Sequence, residues 1–166
     1  MKKVFSLMLA FLILFYFSGC SKKMTTTDDF INKARKEMPI SDAENTYIEY
    51  AGNCMRDNKA LLWFVSGSEN QAHYYLPMGC SVVGGDSYVF EQVYKPMDRG
   101  EDIAVLQWMG GYAFCVNNPN CSVIRILDNS GMIDVEIPDE SSYPFIYYNT
   151  IIPSEYYFLD KDGNKL

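Results

Sequence analysis

The chain has 166 residues, of which 48% are hydrophobic, and a formal net charge of −7. A chain of this length can bury a substantial core as one domain, and its acidic balance argues against binding to nucleic acid. The charge is uneven, since residues 20–60 hold seven basic and seven acidic side chains, whereas residues 61–166 hold five basic and fourteen acidic ones. The second part would steer a basic partner into encounter, although acidity also keeps a protein soluble.

The N-terminus carries the pattern of an export signal. An apolar run of fourteen residues, Val4–Phe17, follows Lys2 and Lys3. The run is too short for a transmembrane helix, which needs roughly 20 residues, and a basic start before an apolar stretch is typical of a signal peptide. The residues Phe17-Ser18-Gly19-Cys20 then resemble the lipobox of bacterial lipoproteins, with Phe17 where leucine is usual. The resemblance implies that residues 1–19 are cleaved off as a signal peptide and that Cys20 is lipidated with a diacylglycerol and an N-terminal acyl chain of the palmitate kind.

The resemblance also implies a location in the cell envelope. More than one acyl chain gives stable anchoring in a membrane, because each buried methylene contributes about 0.8 kcal/mol. Within the lipoprotein class an Asp after the cysteine often signals retention in the inner membrane, so Ser21 implies the outer membrane, facing the periplasm, where the organism has two membranes. Residues 20–26 are then a lipidated tether, and residues 27–166 are one globular domain. Loss of Lys2 and Lys3 leaves 12 basic residues against 21 acidic ones, a net charge of −9.

Two helices are predicted at the start of this domain. Thr27 can cap the first, in which apolar residues recur at helical spacing and which Pro39 would end. The second is predicted from about Asp42 to Arg56, since Ser41 and Glu44 form a capping-box pattern ahead of an apolar stripe. From Ala60 onward, short β-branched and aromatic runs separated by turn residues predict strands.

The clearest strand pair is a hairpin in which Asp128-Asn129-Ser130-Gly131 supplies the turn. The expected fold class is α+β, with two N-terminal helices packed on a mostly antiparallel β-sheet that disulfides brace. A wholly β sandwich is the alternative.

Four cysteines remain after Cys20. Four thiols in an oxidising compartment predict two disulfides. A turn-forming segment separates Cys115 from Cys121, which favours that pair and therefore Cys54 with Cys80, although three pairings exist. A four-cysteine zinc site is the alternative, but the cysteines lack the close spacing of two to four residues that such sites use.

Nothing in the sequence forms a recognisable catalytic motif. His73 is the single histidine, and there is no Gly-x-Ser-x-Gly elbow and no His-Glu-x-x-His pair. A hydrolase would need His73 or a carboxylate pair drawn from the clusters Glu101-Asp102 and Asp139-Glu140. We therefore predict a protein that is not an enzyme and that has no cofactor or metal.

Aromatic residues are concentrated in the last third of the chain. Tyrosine gives a large contact area at low entropic cost and is enriched in binding surfaces, although it also occurs on ordinary sheet surfaces. The residues predicted to contact a partner on an acidic, aromatic surface are Trp108, Tyr143, Tyr147, Tyr148, Tyr156 and Tyr157.

Three functions remain open for a membrane-anchored lipoprotein of this kind. The first, which we favour, is a non-catalytic binding domain that acts as an inhibitor or immunity protein for a basic, envelope-acting protein, with affinity that falls steeply with salt. The second is an accessory lipoprotein of a secretion, pilus or conjugation machine, which would bind an apolar peptide with little salt dependence. The third is an envelope hydrolase.

Overall fold

The computed structural model describes residues 23–24, 26–67, 74–84, 87–138 and 143–166. The predicted signal peptide, the lipobox with Cys20, and His73 lie outside these residues. No helix in the described ranges is long and apolar enough to cross a membrane. The elements are, in chain order, β1 (Lys23–Met24), α1 (Thr27–Glu37), β2 (Ile48–Arg56), β3 (Lys59–Ser66), β4 (Tyr74–Val82), β5 (Tyr88–Val93), β6 (Met97–Asp98), β7 (Ile103–Trp108), β8 (Gly111–Val116), β9 (Val123–Asp128), β10 (Gly131–Glu136), β11 (Phe145–Asn149) and β12 (Glu155–Leu159).

The strands form three sheets in which every pairing is antiparallel. The first sheet has the order β1-β5-β4-β3-β2, the second β11-β8-β7-β6, and the third β10-β9-β12. The helix packs on the first sheet to form the helix-side core. The central core lies between the first and second sheets, and the distal core between the second and third. The molecule is therefore a stack of four layers, with the helix at one end and the third sheet at the other.

Strand β3 shows how its residues specify two of these layers. Successive side chains of a strand point to opposite faces of the sheet, and here both faces are covered, which explains the continuous apolar run. The helix-side core receives Ala60, Leu62 and Phe64. The central core receives Leu61, Trp63 and Val65.

Helix α1 is the first of the two predicted helices. Thr26, one residue before the predicted cap, accepts a hydrogen bond from the backbone N–H of Asp29 at 3.2 Å, and this satisfies one of the free donors at the helix start. Phe30 and Ala34 are buried against the first sheet, and the helix ends ahead of Pro39. Local capping and periodicity were sufficient to predict this element.

The predicted second helix is wrong, because residues 48–56 form strand β2. A bulge interrupts its pairing with β3 between Tyr50 and Gly52, and Gly52 has a φ of 136°, which an L side chain rarely adopts and a helix does not contain. The apolar residues of this segment have a helical spacing, but the segment pairs with β3 and forms the edge strand of the first sheet. The expected fold class is therefore corrected to a mostly β architecture with one short helix, closer to the all-β alternative.

The prediction of disulfide bracing is also wrong. Cys54, Cys80, Cys115 and Cys121 are all buried free thiols. Cys54 faces the central core while Cys80 faces the helix-side core, so the first sheet separates the predicted partners. Cys115 faces the central core and Cys121 the distal core, on opposite sides of the second sheet. Strand register thus places Cys54 and Cys80 on opposite faces of the first sheet, whereas Cys121 lies on the loop between β8 and β9, on the distal side of the second sheet.

The predicted hairpin is present as β9 and β10. Asp128 pairs with Gly131, which leaves Asn129 and Ser130 as the two turn residues. Across the strands, Arg125 donates to Asp134 through two nitrogens at 2.7 and 2.8 Å. Near the N-terminus, two residues of the predicted tether pair with the first sheet as β1.

Candidate functional site

The structure separates the aromatic residues that were predicted to form one surface. Trp108 and Tyr148 belong to the central core, where their rings meet edge to face with centroids 5.3 Å apart. Trp108 is 4% exposed, and the Tyr148 hydroxyl donates to its carbonyl at 3.2 Å. These two residues join the first two sheets and do not present a contact surface.

The other predicted residues lie on two sheets and on the segment before β11, with Tyr147 on β11 of the second sheet and Tyr156 and Tyr157 on β12 of the third. Tyr143, Tyr147 and Tyr156 pack around the distal core, and the Tyr143 hydroxyl donates to the carbonyl of Cys121 at 3.1 Å. Tyr157 is on the opposite face of β12 from Tyr156, since neighbouring strand residues alternate. The six residues therefore do not form a single acidic, aromatic surface.

A different aromatic site lies where the C-terminal end of α1 meets the first sheet and strand β6. We call it the tyrosine groove. Its volume is about 510 Å³, within the range of about 300–1,000 Å³ typical of ligand sites. The groove is lined by Met38, Pro39, Tyr74, Tyr75, Leu76, Val93, Tyr94, Lys95, Pro96, Asp98 and Ala104.

Three tyrosines give the groove its chemistry. Tyr74 begins β4 and is 37% exposed, whereas Tyr75, the next residue, is half-buried beside the central core. Tyr94 follows β5, and its ring lies over Gly79, where an added side-chain carbon would meet the ring at 2.8 Å. The backbone N–H of Tyr94 donates to the carbonyl of Pro77 at 2.9 Å, which holds the main chain of Tyr94 against β4. Gly79 thus allows Tyr94 to close one side of the groove.

Carboxylates stand at the rim of the groove on β6 and on the turn that follows it. Asp98 accepts a hydrogen bond from the backbone N–H of Gly100 at 2.8 Å and lines the groove itself. The hydroxyl of Tyr75 lies 3.5 Å from Oδ1 of Asp102. Burial raises the pKa of Tyr75 strongly, and the neighbouring charge of Asp102 raises it further, so this hydroxyl stays protonated at physiological pH.

The same turn holds its carboxylates in an unusual backbone conformation. Gly100, Glu101 and Asp102 have φ values of 75°, 49° and 55°, which are all in the left-handed region. This region suits glycine and costs other residues roughly 1–3 kcal/mol. The turn is secured by the N–H of Asn117, which donates to the carbonyl of Asp102 at 2.8 Å. Non-glycine residues kept in such a conformation are often found at functional sites.

The tyrosine groove can accept a cationic group. The faces of tyrosine rings attract cations, and a nearby carboxylate adds direct electrostatic attraction. The apolar residues of the floor can in addition contact the aliphatic part of a side chain. Among the described residues, no group of three or more histidine, cysteine, aspartate or glutamate side chains is placed to hold a metal ion.

Sequence reasoning did not identify this site. It noted Glu101-Asp102 only as a carboxylate cluster, and it passed over Tyr74, Tyr75 and Tyr94. The adjacent tyrosines were visible in the sequence, but their approach to Met38 and Asp98 depends on the packing of elements far apart in the chain. Comparisons with protein-family models, curated proteins and solved structures found no match to this chain.

Proposed function

We propose that this chain is a lipoprotein of the bacterial cell envelope with a non-catalytic domain that binds a basic protein partner, in the manner of an inhibitor or immunity protein. The apolar run before Cys20 supports the lipid anchor, and Ser21 supports the outer membrane, facing the periplasm, in an organism with two membranes. The observation that carries the binding function is the tyrosine groove with carboxylates at its rim.

The charges of the domain agree with a basic partner. Residues 61–166 hold fourteen acidic and five basic side chains, and Asp98 and Asp102 place two exposed carboxylates at the groove. Such a field raises the rate of encounter with a cationic protein and is screened by salt. The groove would then accept a lysine or arginine side chain of the partner against the tyrosine rings. Lys95 is the basic residue among the described residues that line the groove.

A specific observation supports the accessory lipoprotein as the second candidate. The floor of the groove is apolar, with Met38, Leu76 and Val93 among its residues. An extended apolar peptide of a secretion, pilus or conjugation machine could lie on this floor without using the carboxylates. Its affinity would depend on buried apolar area and little on salt.

The binding site is tested by photo-cross-linking of the full chain in its native envelope. A photoreactive amino acid replaces Tyr74 at the rim, and the matched control replaces Met132, which is 60% exposed on β10 of the third sheet. We expect a defined protein to be cross-linked at position 74 and not at position 132. Equal cross-linking at both positions would contradict a partner at the groove.

The nature of the partner is tested by titration with the purified cross-linked protein at low and high salt. For a basic partner we expect the dissociation constant to rise by at least about tenfold between the two conditions. Asp98→Asn should weaken binding about threefold to fivefold, as is usual for a charge at the rim of an interface, while Glu136→Gln on β10 should leave it unchanged. An affinity that does not respond to salt would favour the accessory lipoprotein.

The anchor has its own test, the intact mass of the protein extracted from membranes. A chain that begins at Cys20 and carries acyl mass would support the lipoprotein assignment. A chain without acyl mass would contradict it and would leave the binding function to be judged by cross-linking alone.

A further inference from the structure

Five basic side chains of the described residues have a clear structural role. Lys33, Lys59 and Arg125 form ion pairs with Glu37, Glu91 and Asp134. Arg35 donates to three backbone carbonyls of the segment between α1 and β2. Arg56 donates to the carbonyls of Met109 and Thr150 and to the Tyr148 hydroxyl. These contacts of Arg35 and Arg56 hold connecting segments in place. Arg99 and Lys165 differ, because their recorded side-chain contacts are with tyrosines.

Arg99 and Lys165 flank strand β12. The guanidinium of Arg99 lies 5.1 Å from the centre of the Tyr156 ring and donates to the hydroxyl of that tyrosine. The ammonium of Lys165 lies 3.3 Å from the centre of the Tyr157 ring. Within the described part of the chain neither cation pairs with a carboxylate. This is unexpected in a segment that has fourteen acidic and five basic residues.

Both cations line one cleft of about 390 Å³, which we call the cationic cleft. Arg99 comes from the turn after β6, while Lys165 reaches the cleft because its backbone bridges to Leu159 at the end of β12. The other residues of the lining are Glu155, Tyr156, Tyr157, Phe158 and Leu166. The fold thus brings two cations that are 66 positions apart in the numbering to one concave surface.

We infer that the cationic cleft is a binding site for a small ligand that carries one carboxylate group. Arg99 presents a planar set of N–H donors that matches a carboxylate, and the recorded contact uses one of its nitrogens. Lys165 adds a second positive charge, and Tyr156 and Tyr157, which border the cleft from the two faces of the edge strand β12, offer apolar contact to the rest of the ligand. The site is separate from the tyrosine groove and does not depend on the proposed function.

A third residue of the cleft, Glu155, limits how much negative charge the ligand can carry. Glu155 accepts a hydrogen bond from the Tyr157 hydroxyl, and its carboxylate would repel a second negative charge. A single carboxylate is therefore expected to bind more tightly than inorganic phosphate, which is largely a dianion above pH 7.

The experiment uses isotope-labelled full chain in detergent and follows the amide signals of Tyr156 and Tyr157 by NMR. The probes are N-acetylalanine, its neutral amide, and inorganic phosphate at constant ionic strength. We expect saturable shifts with N-acetylalanine, none with the amide, and a weaker response to phosphate. The double variant Arg99→Gln/Lys165→Gln should raise the dissociation constant at least tenfold. A matched double variant that removes two exposed lysines elsewhere, Lys36→Gln/Lys161→Gln, should change it less than twofold.

Each other result overturns the inference. Shifts of equal size with the amide, or an equal loss in both double variants, would show that the carboxylate is not recognised by Arg99 and Lys165. Tighter binding of phosphate would refute the ligand class, and no shift with any probe would refute the site. Because Arg99→Gln also removes a ring contact, Arg99→Lys is measured as well, and a folded Arg99→Lys chain should show an intermediate affinity since it keeps the charge and loses the planar donors.

Discussion

The four cysteines outside the lipobox are buried as free thiols, and their surroundings determine how they react. Burial raises the pKa of Cys54 to about 12 and that of Cys80 to about 12, and it also raises the pKa of Cys115 and Cys121. The reactive species is the thiolate, whose fraction falls about tenfold for each unit by which the pKa exceeds the pH. We therefore expect these thiols to react with iodoacetamide at pH 8 at least a hundredfold more slowly in the folded protein than in denaturant.

Mass spectrometry of the folded and unfolded chain, with timed quenching, measures this protection. In denaturant all four thiols should take up the reagent within minutes. Rapid modification of any one of them in the folded chain would contradict its burial. Resistance of all four in denaturant would instead indicate disulfides and contradict the structure.

Gly111 is a residue where the absence of a side chain is required. A side-chain carbon added there would collide with the carbonyl oxygen of Asn149 and would lie 2.9 Å from the Tyr148 ring. The carbonyl is part of the backbone of β11, so relief requires movement of a strand. We expect Gly111→Ala to lower the free energy of unfolding by about 1–3 kcal/mol, as measured by urea denaturation.

The matched control for Gly111→Ala is Asn129→Ala at the exposed turn of β9 and β10. It should change the free energy of unfolding by less than about 0.5 kcal/mol. A cost for Gly111→Ala no larger than that of the control would show that β8 and β11 do not approach as closely as the structure has them.

Among the elements, the turn between β6 and β7 combines strain with charge. Glu101 has a φ of 49° and Asp102 a φ of 55°, and asparagine, aspartate and glycine tolerate this region better than glutamate does. We expect Glu101→Gly to raise the free energy of unfolding by about 0.5–1 kcal/mol, since relief of strain outweighs the added freedom of the unfolded chain. In the proposed function the same change removes one negative charge from the turn that carries Asp102, so affinity for a basic partner should fall.

Glu44→Gly in the turn before β2 serves as the control for Glu101→Gly. Glu44 is exposed and has no positive φ, so glycine should be neutral or destabilising there. If Glu101→Gly is destabilising by as much as Glu44→Gly, the turn is not strained.

The elements also show how far local sequence signals reach. Helix α1 was predictable because its cap and apolar spacing act within a few residues. Strand β2 was not, because its apolar residues satisfy a helical period as well as a strand, and its pairing with β3 decides between them. The hairpin of β9 and β10 was predictable because turn and alternation are adjacent. The predicted disulfide pairing failed because the faces that Cys54, Cys80 and Cys115 occupy depend on strand register, and the position of Cys121 depends on how the loop after β8 packs.

At the scale of the molecule, both proposed binding clefts are formed by residues distant in the chain. The tyrosine groove joins Met38, Tyr74, Tyr94 and Asp98, which no spacing rule relates. Sequence composition led us to predict an acidic, aromatic binding protein, and the groove with its tyrosines and carboxylates is where we propose that such binding takes place. Composition could not indicate the place, because most C-terminal aromatic residues are used to pack the sheets against one another.

The layered architecture leads to a prediction about cooperativity. The second sheet is covered on both faces, so the central core and the distal core share its strands β7 and β8. Loss of packing on one face should therefore loosen the other, and the domain should unfold in a single transition. Both tryptophans of the chain, Trp63 and Trp108, are buried in the central core, so their fluorescence reports on that core alone.

Phe114→Ala tests this coupling from the distal side. Phe114 is fully buried in the distal core, and its truncation should cost about 3–5 kcal/mol. If the sheets unfold together, the midpoint of the tryptophan fluorescence transition shifts as far as that of far-UV circular dichroism, and Phe64→Ala in the helix-side core shifts both in the same way. If the third sheet unfolds on its own, Phe114→Ala will leave the tryptophan transition in place while the circular dichroism curve splits into two steps. If the fluorescence and circular dichroism curves coincide for both variants, packing in the helix-side core and packing in the distal core each stabilise the whole domain.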